Sequence, residues 1–336
     1  WRSDGCVRLR PRDGKIEELT SQLEAVASSP ALPATFVQSL VGSLMFLTSR
    51  CYARMARGGY QAMYHWCATA GLPKGPARVR LAQSPELPGS KPQPAISNRK
   101  PLAFFEVTEG LRLSAAFFLQ IMRELRPRVV YPMRRAPAAV VLYTDAEWTA
   151  LKRFGPWHPW YCLSHTTGMG ALAFNGTQRL ACCGEASAEV VNSLKTRETQ
   201  ITALELLAVA GALCPFAASL AGRDLILACA NQSVCAALAK GASRALDLQL
   251  FTTAVHGFCH RWHINLWVEW VPTKENPADE LSRAGTSPYH ASPELMQLPA
   301  WAVAQRHDLP RLLQSEVALP YISCRGVRTE TNSENP

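Results

Sequence analysis

Apolar residues recur at helical spacing over the first 125 residues of the chain. This spacing predicts helices over residues 16–27, 33–54, 59–70 and 108–125. Pro127 ends the last of them, because proline cannot continue a helix. Between the third and fourth helices the chain is rich in Pro, Gly, Ser and basic residues, which indicates a loop or linker.

The pattern changes from helical to alternating near residue 137. The Asn-Gly dipeptide at 175–176 lies between two alternating runs and predicts a two-residue hairpin. Strands and helices then follow in the order β-β-β-α-β-α-α-β-α, which predicts a mixed α/β fold. The predicted strands cover residues 139–145, 167–174, 178–184, 224–229 and 264–271, and the predicted helices cover 199–213, 231–240, 243–262 and a short one from 276.

These changes of pattern divide the chain into five segments. A smaller and mostly helical region comes first, and the α/β domain follows it. We expect a helical region over residues 1–71, a linker over 72–107, a further helix with its connection over 108–136, the mixed α/β domain over 137–285 and an extended tail over 286–336.

Composition excludes a disordered chain, because 48% of the 336 residues are hydrophobic and only 18% are charged. The net charge of +9 is unevenly placed. Residues 1–140 hold 20 Lys and Arg against 9 Asp and Glu, whereas residues 141–336 hold 15 against 17. The basic first half favours an anionic partner such as a nucleic acid.

The sequence also indicates where the protein works. The longest apolar run, residues 206–222, is interrupted by Pro215, which disfavours a membrane span. Eleven cysteines without a CxxC pair fit reduced thiols, so we expect an intracellular protein of the cytoplasm or nucleus that is not secreted. Because the chain begins with Trp1 and not with Met, we expect further sequence upstream.

Three carboxylates of the α/β segment are candidates for chemistry. Asp145 ends the first predicted strand, Glu205 interrupts an apolar helix, and Asp279 begins the last helix. Each alone is explained by a turn, a cap or a side chain that reaches solvent. Carboxylates that converge repel one another, and a hard divalent cation such as Mg²⁺ relieves that repulsion. In this element order, the three together favour a metal-dependent site.

Four motifs resemble the RNase H domain of retroelement reverse transcriptases of the tyrosine-recombinase and Gypsy-like groups. They are the Tyr-Thr-Asp-Ala strand end at 143–146, the Glu-Leu-Leu-Ala helix at 205–208, the Lys-Gly-Ala-Ser helix end at 240–243 and the Val-Pro-Thr-Lys-Glu-Asn-Pro-Ala-Asp-Glu-Leu-Ser-Arg segment at 271–283. The resemblance covers residues 137–285. Upstream, the helix around residues 40–47 resembles the thumb or connection helix of these polyproteins, and the helix over 108–125 occupies the place of their pre-RNase H helix.

The resemblance implies an RNase H-like fold, with a mixed five-stranded sheet and flanking helices. It also implies hydrolysis of RNA in RNA–DNA hybrids by two Mg²⁺ ions. By motif match, Asp145 would bridge both ions, Glu205 would be the second ligand, and Asp279 would hold the ion that activates water. The partner implied is a polymerase domain of the same polyprotein, since no Tyr-x-Asp-Asp motif occurs in this chain.

One position departs from the family pattern. These domains usually carry Asp-Asn at the end of the fourth strand, where this chain has Ala230 and Asn231. Ala230 cannot bind a metal, so the binding of the second Mg²⁺ ion is weakened and we expect impaired cleavage. The alternatives are a non-catalytic nucleic-acid-binding remnant and a decayed retroelement copy.

Other residues are candidates for nucleic-acid contacts. The aromatic, Pro-rich stretch over 148–160 lies where a hairpin turn would suffice, and it could stack on bases or form a local aromatic cluster. The candidate contact residues are Lys152, Arg153, Trp157, Asn231 and Arg283.

A group of His and Cys residues has two interpretations. His256 with His260, and Cys259 with His263, are each spaced one helical turn apart. Such spacing suits a zinc site. Packing of a helix against a sheet is the commoner explanation for these residue types.

Overall fold

A computed structural model of the chain describes residues 7–9, 11–52, 54–73, 75–79, 88, 103–124, 128–130, 139–152, 163–186, 190–191, 194–195, 197, 199–284 and 294–295. The chain divides into two compact units, Trp1–Met133 and Arg134–Pro336, which are called unit 1 and unit 2 below.

Unit 1 is the mostly helical region expected from the sequence. Its largest fully buried side chains are aromatic, namely Trp66, Phe117 and Phe118. Arg112 donates hydrogen bonds to the carbonyl groups of Ala27 and Ser29 and so ties two parts of the unit together. In chain order its elements are β1 (Val7–Leu9), α1 (Lys15–Ser28), β2 (Ala31–Pro33), α2 (Ala34–Cys51), a 3₁₀ turn (Met55–Gly59), α3 (Tyr60–Thr69), β3 (Arg78–Val79), β4 (Phe104–Glu106), α4 (Glu109–Glu124) and β5 (Arg128–Val130).

The expected linker over 72–107 is wrong for β3 and β4. These strands form a three-stranded antiparallel sheet with β2, in the order β2-β4-β3. Phe104 and Phe105 are buried there, and the Trp66 indole donates a hydrogen bond of 2.8 Å to the carbonyl oxygen of Glu106. Two adjacent aromatic side chains bury more apolar area than an exposed linker allows, which explains the strand. The domain boundaries themselves stay predictions.

Unit 2 follows the predicted order of strands and helices. Its elements are β6 (Val140–Ala146), β7 (Thr149–Lys152), β8 (Leu163–Thr166), β9 (Gly168–Asn175), β10 (Gln178–Glu185), α5 (Ile201–Leu220), β11 (Asp224–Cys229), α6 (Gln232–Lys240), α7 (Leu246–Arg261), β12 (Asn265–Trp270), a 3₁₀ turn (Thr273–Glu275), α8 (Asp279–Ala284) and β13 (Glu294–Leu295).

The main sheet of unit 2 has the strand order β12-β11-β6-β9-β10, with the two-residue β13 parallel to β10 at one edge. Strands β6, β9 and β10 are antiparallel neighbours, whereas β6, β11 and β12 run parallel. This mixed five-stranded sheet with flanking helices confirms the RNase H-like fold expected from the sequence. Strand β13 extends the sheet from within the expected tail.

Helix α5 fills the core on one face of this sheet. It was expected to end near residue 213, but it continues through Pro215 to Leu220. Its side chains are almost all apolar and buried, and this packing offsets the backbone hydrogen bond that Pro215 removes. Among the described residues, α5 is also the single helix whose length and composition would suit a membrane span, and most of it is buried inside unit 2.

Two predicted boundaries differ from the structure. Asn175 pairs with Gln178, so the hairpin loop is Gly176–Thr177 and lies one residue later than expected. Gly176 has φ 61°, as the first position of a type II′ turn requires. Helix α7 begins at Leu246 and not at Ser243, whose N–H instead donates to the side chain of Gln249 at 2.8 Å.

The insertion after β6 contains a hairpin of its own. Strands β7 and β8 pair antiparallel as a separate two-stranded sheet. Residues 153–162, which connect them, lie outside the described residues.

Two glycines of β9 let α8 lie directly on the opposite face of the sheet from α5. A Cβ atom at Gly168 would lie 1.7 Å from the carbonyl oxygen of Ser282. At Gly170 it would lie 2.5 Å from both Leu281 Cβ and Ser282 N. Beside them, Leu281 packs on Leu172 in a small cluster of its own. The position of α8 therefore depends on the absence of side chains at these two glycines.

We expect Gly170→Ala to destabilise unit 2. The added methyl group would meet the backbone of α8, and overpacking of this kind costs about 1–3 kcal/mol. Urea unfolding of the full chain measures the change. The matched control is Gly42→Ala in α2, where a Cβ meets nothing within 4 Å; it should be neutral or stabilising. Equal effects of the two substitutions would contradict the close contact of α8.

Candidate active site

Asp145 lies near the end of β6 and is held from two sides. Its side chain is only 3% exposed. Ser282 Oγ in α8 donates a hydrogen bond of 2.6 Å to Asp145 Oδ2. Asn276 Nδ2 donates to Asp145 Oδ1 at 3.3 Å and to the carbonyl oxygen of Thr144 at 2.9 Å. The segment that follows β12 thus fixes the orientation of this carboxyl group.

Glu205 approaches from α5, on the other side of the sheet. It is 4% exposed, and the thiol of Cys229 donates a hydrogen bond of 3.5 Å to its Oε2 atom. Burial raises the pKa of Glu205 to about 8, and the charge of Asp145 adds to the increase. A buried acid in an apolar helix is thereby kept protonated to a higher pH.

The charges of the predicted carboxylates affect the two buried acids, Asp145 and Glu205. Burial raises the pKa of Asp145 to about 6, the hydrogen bond from Ser282 opposes the increase, and the charge of Asp279 adds to it. Asp279 also raises the pKa of Glu205. The charge of Asp279 therefore acts on both buried acids, and the assignment of Asp145, Glu205 and Asp279 to one site stays a prediction.

Asp279 differs from the other two because it has a cationic partner. Arg283 donates from Nε to Asp279 Oδ2 at 2.9 Å and from Nη2 to Asp279 Oδ1 at 3.0 Å. Both side chains are partly exposed. This two-point ion pair neutralises part of the negative charge at the centre.

Ala230 lies directly after β11, where the resemblance calls for a carboxylate. Its carbonyl oxygen accepts a hydrogen bond of 3.0 Å from the indole of Trp270. The next residue, Asn231, caps α6: its Oδ1 atom accepts from the N–H groups of Ser233 and Val234 at 3.0 and 3.2 Å. The amide oxygen of Asn231 is therefore already used, and it does not replace the missing carboxylate.

The predicted nucleic-acid contacts stay predictions. Arg283 is bound to Asp279, and Asn231 acts as a helix cap. Lys152 ends β7, but its side chain, like Arg153 and Trp157 as a whole, lies outside the described residues.

Three residues of the centre were missed by the sequence analysis. Asn276 and Ser282 lie inside the motif that was identified, and Ser282 follows Asp279 by about one helical turn. That spacing places Ser282 on the same side of the helix as Asp279, and this could have identified Ser282 as part of the site. Cys229 precedes Ala230, and no pattern in the sequence marks its contact with Glu205.

The His and Cys group on α7 is explained by packing. His256 is buried, with its Nε2 atom 2.8 Å from the carbonyl oxygen of Leu238. Cys259 is also buried, which raises its pKa. The described residues contain no group of three or more His, Cys, Asp or Glu that could hold a metal ion.

The absence of a three-residue ligand group among the described residues also matters for Mg²⁺ binding at the carboxylate centre. The donors there are oxygen atoms of mutually repelling acids, which is the chemistry that this ion prefers. Thr144 Oγ1 is buried without a hydrogen-bond partner, but Thr144 and Asp145 are consecutive in β6, so their side chains point to opposite faces of the strand. The donor set thus fits Mg²⁺ in its chemistry, although the described side chains do not close around one ion as a group of three.

Two solved structures resemble part of the chain. RNase H1 from the halophilic archaeon Halobacterium salinarum NRC-1 is 17% identical, with a TM-score of 0.30, over 43% of this chain and 95% of that chain. The N-terminal RNase H domain of Rv2228c from Mycobacterium tuberculosis, solved as a fusion with maltose binding protein, is 16% identical, with a TM-score of 0.27, over 43% and 90%. No family model and no curated protein matches the chain. The fold assignment rests on the strand order.

We expect the metal-free protein to lose stability as the pH rises from about 5 to about 9. Burial raises the pKa of Asp145 to about 6 and that of Glu205 to about 8, from ordinary values of 3.8 and 4.5. The folded state therefore binds more protons than the unfolded state in this range, and its stability falls as those protons are lost. A tenfold difference in proton affinity between the two states corresponds to about 1.4 kcal/mol.

Urea unfolding in a chelating buffer at about pH 5.5 and about pH 8.5 measures this difference. Glu205→Gln should remove most of the pH dependence, because an amide does not ionise. The control is Glu185→Gln, at an exposed position of β10. If Glu205→Gln keeps the full pH dependence, the buried acid is not its source.

Proposed function

We propose that unit 2 is an RNase H-type domain that binds RNA–DNA hybrids and whose Mg²⁺-dependent hydrolysis is impaired by Ala230. The observation that supports this proposal is a pair of buried acids in a unit built on a mixed five-stranded sheet: burial raises the pKa of Asp145 and of Glu205, and the charge of Asp279 adds to both increases. The four motifs that resemble RNase H domains lie on the same unit and support it.

The residues that would hold Mg²⁺ are Asp145, Glu205 and Asp279. When bound, the ions lower the pKa of a water molecule and stabilise the leaving oxygen of a phosphodiester. Ser282 and Asn276 keep the Asp145 carboxyl group in one orientation, so that its oxygen atoms are fixed before substrate arrives. Asp279 would have to share its carboxylate oxygens between Arg283 and a bound cation.

Two features limit this chemistry. Ala230 supplies no oxygen where the family has a carboxylate, so one ion position is incomplete. Losing one member of a catalytic group costs on the order of 10³-fold in rate. In addition, Arg283 competes for Asp279. Both features favour a domain that retains the RNase H-like fold but cleaves RNA–DNA hybrids slowly.

A second candidate function is nucleic-acid binding without cleavage. Ala230 favours it, and so does the absence of a three-ligand metal group among the described residues. The basic first half of the chain, with 20 Lys and Arg against 9 Asp and Glu, suits a phosphate backbone. A decayed retroelement copy would show neither binding nor cleavage.

We further propose the context of a retroelement reverse transcriptase. Unit 1 would serve as the thumb or connection region, and a polymerase domain of the same polyprotein would be the partner. The Asn-Pro-Ala-Asp-Glu-Leu-Ser-Arg motif at 276–283 is the most specific support. An intracellular location, in the cytoplasm or nucleus, agrees with this context.

The first test is cleavage of a labelled RNA–DNA hybrid in Mg²⁺. We expect weak cleavage by the unchanged chain and an increase on the order of 10³-fold in Ala230→Asp, because the added carboxylate completes the ligand set. Asp145→Asn in the Ala230→Asp background should abolish the gain. The matched control is Ala242→Asp, which adds the same carboxylate after α6 and away from the centre.

The outcomes separate the proposals. Rapid cleavage by the unchanged chain that Asp145→Asn abolishes would contradict the impairment. If Ala230→Asp leaves cleavage undetectable, hydrolysis by this centre is excluded, and the binding function takes its place.

The second test is the salt dependence of hybrid binding. We expect the affinity of the unchanged chain to fall steeply with rising salt, because phosphate contacts release bound counterions. Fluorescence anisotropy with a labelled hybrid, in chelating buffer, measures it without cleavage. Ala230→Asp should bind the same hybrid with a similar slope. An affinity that does not change with salt would contradict a backbone contact by the basic residues.

A further inference from the structure

Strand β12 forms one edge of the main sheet of unit 2. Among the described strands it pairs only with β11, and all six of its residues are exposed or half-buried. Trp267 is 64% exposed and Trp270 is 48% exposed. Natural edge strands are usually protected by lysine, proline or a bulge, because an open edge pairs readily with another chain. The sequence of β12, Asn-Leu-Trp-Val-Glu-Trp, contains neither lysine nor proline, and its register with β11 is continuous.

The hydrogen bonds to β11 show which backbone groups of β12 point outward. Asn265 N–H donates to the carbonyl oxygen of Arg223 at 2.9 Å, and Val271 N–H donates to that of Cys229 at 3.2 Å. In a parallel pair every second residue directs its N–H and C=O groups to the same neighbour, so the odd-numbered residues of β12 bond to β11. The outward N–H and C=O groups are those of the even-numbered residues, Leu266, Val268 and Trp270.

These outward groups complement those of a second copy of the same strand. In an antiparallel pair about a two-fold axis at Val268, the backbone of Val268 bonds to its own counterpart. The backbone of Leu266 then bonds to that of Trp270 in the second copy, and the reverse pair forms as well. Every outward N–H group of β12 therefore meets an outward C=O group.

The charge of Glu269 selects the same axis. Trp267 and Glu269 lie on one face of the strand, and the indole N–H of Trp267 donates to the Glu269 carboxylate within one chain. With the axis at Val268, each Glu269 lies opposite Trp267 of the second copy, which offers the same donor. An axis at Glu269 would instead place two equal charges opposite each other, which destabilises a strand pair. It would also place Leu266 opposite Pro272, which has no N–H group.

We propose that two copies of this chain form a dimer by antiparallel pairing of β12 about a two-fold axis at Val268. The main sheets of the two copies then join into one continuous sheet. Pairing of β12 requires neither a metal ion nor nucleic acid, so it is independent of the function proposed for unit 2.

Sedimentation equilibrium of the full chain measures the dimer. Nucleic acid is first removed with a nuclease and high salt, because a chain with a net charge of +9 would otherwise associate through bound nucleic acid. We expect twice the mass of one chain at high protein concentration, and dissociation to single chains on dilution.

Two substitutions of Trp267 test the register. Both remove the same exposed indole, so the loss of apolar contact is equal. Trp267→Glu places a carboxylate opposite Glu269 of the second copy, whereas Trp267→Lys places an ammonium group there. We expect the dissociation constant of the dimer to be about tenfold higher for Trp267→Glu than for Trp267→Lys, since the pair occurs twice in the dimer. Glu269→Lys added to Trp267→Glu should bring the dissociation constant back to that of Trp267→Lys.

A substitution of Val268 tests the backbone bonds. Val268→Pro removes the N–H group at the two-fold axis. Because this group points away from β11, an edge strand tolerates proline there, and we expect a folded monomer, as urea unfolding checks. The matched control is Val268→Thr, which keeps the N–H group and the branched shape and should remain dimeric.

Three results would overturn the proposal. The first is a chain that stays monomeric up to its highest soluble concentration. Protection of the Val268 amide from hydrogen exchange in that monomer would show that another segment of the chain covers the edge. The second is equal dissociation constants for Trp267→Glu and Trp267→Lys, and the third is a dimer that Val268→Pro leaves unchanged.

Discussion

Burial of two carboxyl groups at one edge of the sheet constrains the rest of unit 2. Asp145 and Glu205 are almost without solvent, burial raises the pKa of both, and the charge of Asp145 makes ionisation of Glu205 less favourable still. The fold holds them with neutral donors, a hydroxyl and an amide for Asp145 and a thiol for Glu205. Such donors orient an acid without cancelling its charge, which leaves the centre suited to a cation.

The centre depends on how closely α8 lies on the sheet. Gly168 and Gly170 provide the space, and Ser282 reaches Asp145 as a result. The same approach brings Asp279 into electrostatic contact with the other acids. Packing of one short helix therefore positions Ser282 against Asp145, although neither glycine carries any chemistry.

The contacts around Ala230 are common structural ones. Asn231 caps a helix, the Trp270 indole donates to the carbonyl oxygen of Ala230, and the Cys235 thiol lies 3.6 Å from the carbonyl oxygen of Cys229. Each contact stabilises the junction of β11 and α6 without a carboxylate. This explains how the fold persists with Ala230.

Local pattern determined much of this protein. Alternating and helical spacing predicted the sheet and its helices, because periodicity is a property of neighbouring residues. The path of α5 through Pro215, the strand at Phe104 and Phe105, and the contacts of Ser282, Asn276 and Cys229 were decided only by the tertiary structure. Each depends on side chains far apart in the sequence, and burial between such residues overrides local preference.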